Sequence, residues 1–129
     1  MLSDDTVNVR YMVDDVAAAI DFYTNHFGFT VRTSVLPAFA DVTRGSLRLL
    51  LSGPNSSAGR PMADGANPGP GGWNRIHFIT DDLAGDVDRL RKDGVRFRND
   101  VVTGPGGSQI LAQDPAGNLI ELFQPASPT

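Results

Sequence analysis

Residues 6 to 13, "TVNVRYMV", alternate apolar and polar and are rich in β-formers, which predicts a strand. In "DDVAAAIDFYTNHFGF" the period changes. Val16, Ile20, Tyr23 and Phe27 recur at helical spacing, Asp15 stands where an N-cap belongs, and Gly28 is placed to stop the helix. Three short strands follow, at about 29–35, 38–43 and 46–52. Residues 52 to 72, "SGPNSSAGRPMADGANPGPGG", hold four Pro and six Gly. They read as a linker or long loop and not as a packed element, and such a loop in a small domain serves as a lid or is simply mobile. Then the order returns. "NRIHFIT" (74–80) predicts a strand. Residues 81–94 predict a helix with Asp82 as N-cap, Leu83, Val87 and Leu90 as its apolar face and Gly94 as its stop. Strands are expected near 95–101, 108–113 and 118–124, separated by the turn signals "GPGG" (104–107) and "DPAGN" (114–118).

The chain thus reads as strand–helix–three strands, twice. Asp14-Asp15-Val16 aligns with Asp81-Asp82-Leu83, Gly28 with Gly94 and Gly45 with Gly117. The expected organisation is one domain over 1–129, with module 1 at about 6–52, a Gly/Pro-rich linker at 53–72 and module 2 at about 73–125. The expected fold class is α+β.

Composition narrows the chemistry. The chain has 129 residues, 40% hydrophobic and 20% charged, with a formal net charge of −4. An acidic chain of this kind lacks the basic footprint of a nucleic-acid binder. No apolar run approaches the ~20 residues of a membrane span. The N-terminal "MLSDDTVNVR" is acidic, has no apolar core and does not read as a signal peptide. There are no cysteines, which excludes disulfides, thiolate metal sites and a Cys nucleophile and fits a cytoplasmic protein. With only His26 and His77, an all-His metal site within one chain is excluded as well. The "GPGG" turn precedes no helix, so it is not read as a phosphate loop.

One residue breaks the apolar pattern. "GNLIELFQP" (117–125) carries Glu121 in the middle of a strand whose two faces, Leu119/Phe123 and Ile120/Leu122, are both apolar. Burying that charge without a partner costs several kcal/mol, so it needs one. The matching stretch "GSLRLLLSGP" (45–54) has Leu49 at the position aligned through the glycines.

The paired βαβββ pattern, with "D-D-[VL]" opening each helix, "DFY…FGF" closing the first and "DPAGNLIELFQP" ending the second, resembles the vicinal oxygen chelate superfamily. That family includes glyoxalase I, extradiol dioxygenases and bleomycin-binding proteins. The resemblance covers about 6 to 125. It implies tandem modules forming a curled mixed sheet around a cavity, and it leaves the reaction open, because the fold hosts several chemistries. In the family's metal-dependent members, ligands come from the first strand, seven residues before the capping Asp, and from the middle of the last strand. Carried over, those positions are Asn8, Arg75, Leu49 and Glu121. Only Glu121 suits a metal, since a protonated Arg has no free lone pair. The resemblance therefore implies no metal and no cofactor, with Glu121 facing the cavity and paired to Arg75.

Other residues carry more than one reading. Arg75 is either Glu121's partner or a rim cation snorkelling to water. His77 shares the Arg75 face, as a general acid or base, a hydrogen-bonding pocket residue or a displaced ligand beside Glu121. His26 complements the end of the first helix. Asn8, Arg10 and Met12 share one parity of the first strand. Phe39 and Trp73 are expected as apolar walls, Trp73 as either a gate or a core plug. The expected ligand-binding set is Asn8, Arg10, Phe39, Leu49, Trp73, Arg75, His77 and Glu121, with Glu121 and His77 as the catalytic candidates. The leading expectation is a metal-independent, glyoxalase/bleomycin-resistance-like binder of a small organic molecule, working as a homodimer. The alternative is a metal-free isomerase or lyase with Glu121 as base and Arg75 as oxyanion stabiliser. A metal-dependent glyoxalase or dioxygenase ranks behind both.

Overall fold

The computed structural model describes residue 2 and residues 7–127; residue 6, where the first strand is expected to start, lies outside the described residues. Within them the order is β1 (Asn8–Met12), α1 (Val16–Phe27), β2 (Thr30–Val35), β3 (Phe39–Arg44), β4 (Leu47–Ser52), a 3-10 turn (Ser57–Gly59), β5 (Ile76–Ile79), α2 (Leu83–Lys92), β6 (Arg96–Phe97), β7 (Val102–Gly104), β8 (Gly107–Gln113) and β9 (Leu119–Pro125). The chain forms two compact units, Met1–Gly71 and Gly72–Thr129, each carrying one strand–helix–strands module. The fold class is α+β.

Local chemistry sets the helix ends. Asp15 accepts the Ala18 N–H at 3.1 Å, and Asp82 accepts the Gly85 N–H at 3.1 Å. Caps of this type are each worth about 1 kcal/mol. Gly28 closes α1 in the left-handed region at φ 71°, where a Cβ would be strained. The second helix ends at Lys92, two residues before its glycine stop: Asp93 is its C-cap, and Gly94 donates to the Arg91 carbonyl. His26 occupies the last turn of α1, as expected of a residue that complements the helix end.

In the first unit the sheet order is β1-β4-β3-β2, with β1 parallel to β4 and the other pairs antiparallel. The register of β2 on β3 shifts between Val31 and Thr33. The buried side of α1, Val16, Ala19, Phe22, Tyr23 and Phe27, packs on β3 and β4, where Ala40, Val42, Leu49 and Leu51 are fully buried. Ile20 is only half-buried, and Ala19 and Phe22 complete the apolar stripe instead. In the second unit the order is β5-β9-β8-β6, with β7 also on β8 and β5 parallel to β9. Leu83, Val87 and Leu90 of α2 supply the core together with Ile76, Ile110, Ala112, Ile120 and Leu122.

Two segments depart from expectation. The strand expected over 95–101 is cut short to β6, and β7 forms separately beyond it. Arg98 still donates to the Leu111 carbonyl, but the Leu111 N–H is taken by the Asn99 side chain at 2.9 Å, so the ladder stops there. The linker is also packed at its start. The Ser56 hydroxyl donates to the Gly53 carbonyl at 2.6 Å and accepts the Gly59 N–H at 3.2 Å, and a Cβ on Gly59 would stand 2.5 Å from the Gly53 carbonyl. Residues 60–72 are exposed apart from half-buried Pro68. Among the described residues, no helix is long and apolar enough to cross a membrane.

Candidate functional site

The alternation along β9 decides what Glu121 meets. Ile120 and Leu122 turn toward α2 and are buried. Glu121 turns the other way and lies between His77 of β5 and Leu111 of β8 in the sheet register. It is 8% exposed. Arg75, just before β5, places Nε at 3.0 Å and Nη2 at 2.9 Å from Oε1, while its Nη1 donates to the Trp73 carbonyl at 3.2 Å. His77 Nε2 stands 3.3 Å from Oε2. The His77 ring rests against Phe123 with centroids 5.2 Å apart. The carboxylate therefore has one oxygen on a guanidinium and the other on an imidazole, and this is what makes its burial affordable.

The structure groups Arg75, His77 and Glu121 and corrects two other expectations. Trp73 is 63% exposed, so it is no core plug. Its ring carries the Arg98 guanidinium at 4.4 Å from the centroid, a partner the sequence reading did not single out. Leu49 is not a site residue. It is fully buried on the α1 side of the first sheet, in register with Val9 and Val42. The counterpart of Glu121 is Leu50. His77, five residues before Asp82, pairs with Glu121; Arg10, five before Asp15, pairs with Leu50. The glycine alignment fails because Gly45-Ser46 alone turns β3 into β4, whereas residues 114–118 connect β8 to β9. A slip of one residue exchanges the faces of a strand.

The side of the first sheet turned away from α1 carries Asn8, Arg10 and Met12, with Phe39 at its edge. Asn8 and Arg10 are exposed and Phe39 is half-buried. Arg10 Nη1 donates to the Ser52 hydroxyl at 2.9 Å. The same side holds Asp41, fully buried, with Arg48 Nε and Arg32 Nη1 on its Oδ2. Burial pushes the Asp41 carboxyl up, but hydrogen bonds from Arg48, Arg32 and Thr33, with the Arg48 charge, hold it below the usual aspartate value. Sequence reading missed this cluster. The signal was present in "FADVTR", an acid flanked by Ala40 and Val42, yet Phe39-Asp41-Thr43 also reads as an ordinary outward-facing row.

The donor set does not fit a resident metal ion. Of the four positions, Leu50 has no donor, Asn8 offers an amide, and Arg75 puts a permanent positive charge on the one carboxylate. His77 adds an imidazole beside Glu121 but leaves Arg75 in place. Among the described residues, no group of three or more His, Cys, Asp or Glu side chains is arranged to hold a metal.

Comparison with known proteins agrees with the fold. The family model described as "Glyoxalase/Bleomycin resistance protein/Dioxygenase superfamily" matches residues 6–122. A superfamily member from Sphaerobacter thermophilus is 26% identical with a TM-score of 0.74, over 96% of this chain and 99% of that one. TnmS3, an antibiotic binding protein from Streptomyces sp. CB03234, is 26% identical with a TM-score of 0.70, over 98% and 99% of the two chains. A lactoylglutathione lyase from Agrobacterium tumefaciens, 24% identical with a TM-score of 0.70 over 96% of both chains, shares the fold. No curated protein matches the sequence.

Proposed function

The chain belongs to the glyoxalase/bleomycin resistance protein/dioxygenase superfamily, and on that premise we propose that it is a metal-independent protein that binds a small organic molecule on the Glu121 face of its second module. The observation that carries this reading is the double engagement of Glu121, by Arg75 on Oε1 and His77 on Oε2. A carboxylate held in this way is a fixed acceptor on that face of the sheet. Arg75 retains N–H donors for an anionic or carbonyl oxygen of the ligand. Phe123 and the exposed ring of Trp73 offer flat apolar surfaces for a ring system. The similarity to TnmS3, an antibiotic binding protein, supports binding as the role. The reading includes a cytoplasmic homodimer; the edge position of β5 and the 71% exposure of Ile79 on it support pairing.

One contact favours a second reading, a metal-free isomerase or lyase. His77 Nε2 against Glu121 Oε2 is the geometry of an imidazole oriented by a carboxylate, so the pair would move a proton while Arg75 stabilises an oxyanion. Native mass spectrometry of the purified protein separates the two. A co-purifying organic molecule, lost in a folded Arg75→Ala variant, supports the binder. Turnover of that molecule, abolished by His77→Gln, transfers the protein to the second reading. Binding untouched by Arg75→Ala rejects the site.

A further inference from the structure

We infer that the second module carries a separate site for a small dicarboxylate, in the hollow between the C-terminal turn of α2 and the bend that follows β6. Five of the chain's 11 Lys and Arg residues, Arg89, Arg91, Lys92, Arg96 and Arg98, fall within residues 89–98, against one acid, Asp93. In a chain of net charge −4 that stretch is a local positive centre. Lys92 is spent on Asp88, at 3.0 Å. Arg91 and Arg98 instead line a hollow of about 350 Å³, together with Val95, Phe97, Asn99 and Asp100. The hollow lies beside β6, at the end of the sheet order opposite β5, and its lining includes none of Arg75, His77 and Glu121.

Both guanidiniums are held by their faces. Arg91 lies over Phe97 at 5.2 Å from the ring centroid, and Arg98 over Trp73 at 4.4 Å. Stacking of this kind orients a guanidinium while using none of its N–H groups, so the edges remain for an oxyanion. Asn99 fixes the backbone of the bend by accepting the Leu111 N–H at 2.9 Å. Buried Val95 and half-buried Phe97 give the hollow its apolar lining. Asp100 marks where an anion goes. Its carboxylate stands 3.6 Å from Arg91 Nη2, too far for a hydrogen bond, and its side chain is fully exposed. A solvent-screened pair of that kind contributes little, and a ligand carboxylate displaces it. Size sets the ligand class. At about 30 Å³ for each water-sized unit, the hollow takes roughly ten non-hydrogen atoms. Acetate leaves most of that space empty, and a short dicarboxylate fills it, with one carboxylate for each guanidinium fork.

Titration calorimetry at low, constant ionic strength tests this with glutarate, and acetate as the monocarboxylate. Trp73 is the chain's one tryptophan, so its fluorescence reports on the Arg98 stack in the same titration. The expected result is one saturable glutarate per chain, bound more tightly than acetate, with Trp73 emission changing over the same concentration range. Arg91→Gln and Arg98→Gln should each weaken binding roughly tenfold, as loss of a charge-assisted hydrogen bond does. Asp100→Asn should tighten it about two- to fivefold, because it removes a competing carboxylate. Arg60→Gln, which removes an exposed cation of the other unit, should leave it unchanged. Absence of saturable binding, acetate binding as tightly as glutarate, or indifference to Arg91→Gln and Arg98→Gln would overturn the inference. Equal weakening by Arg60→Gln would overturn it too, and would assign the effect to diffuse charge. Binding with no change in Trp73 emission would overturn the two-arginine site by removing Arg98 from it.

Discussion

Asp41 lies directly opposite Leu50 across β3 and β4. The matching row of the second module is Leu111 opposite Glu121. The two modules therefore keep an acid–leucine pair at one place in the sheet and exchange which strand bears the acid. In both, the acid is buried and held by two cationic or titratable partners, Arg48 and Arg32 in one case and Arg75 and His77 in the other. The repeat preserves a charged centre on the face away from the helix while changing what surrounds it.

The Arg75–Glu121 pair should behave as a unit. Arg75→Ala strands a largely buried carboxylate and should destabilise the protein by about 2 kcal/mol, within the range for a charged hydrogen bond. The double change to Leu at both sites should recover much of that loss. Urea unfolding of the four proteins of the cycle measures it, and strictly additive effects would show that the two side chains do not interact.

Asp41 gives the stability a pH limb of known sign. Its folded carboxyl lies below the usual aspartate value, so the unfolded chain takes up a proton first as pH falls. The Asp41 contribution is fully present above the unfolded value of about 3.9 and is lost as pH drops through the lower folded value. Wild type should exceed Asp41→Asn by about 1–3 kcal/mol at neutral pH, with the gap closing as the solution is acidified below the unfolded value. A gap that widens on acidification would contradict the assignment.

Leu49 and Leu50 should respond differently to the same change. Leu49→Gln puts an amide into the α1 core with no partner and should cost about 3 kcal/mol or more. Leu50→Gln lands between Arg10 and Asp41, where an amide finds hydrogen bonds, and should cost clearly less. Denaturation midpoints with unchanged slopes decide it; equal losses would return Leu49 to the face on which the glycine alignment placed it.

The difference between these two leucines shows where the sequence was legible. Both helices could be read because their signals are local: Asp15, Gly28 and Asp82 act within a turn of themselves. That Glu121 needs a partner could be read because an acid in an apolar strand demands one; Arg75 as that partner came from the family resemblance. The parity of β4 could not, because it depends on how many residues turn the chain before it. The break at 98–101 was hidden because the Asn99 side chain imitates a backbone acceptor. Asp41 was hidden because Arg32, across the register shift of β2, and Arg48, on the next strand, meet it only once the sheet is assembled.

The central claim is that Glu121 is committed to protein partners and that binding proceeds without a transition metal. Elemental analysis of protein purified without a His-tag, paired with ligand binding before and after chelator treatment, tests it most directly. The account predicts far less than one zinc, nickel, manganese or iron per chain and unchanged binding after chelation. Near-stoichiometric metal, lost together with binding in Glu121→Ala, would contradict it.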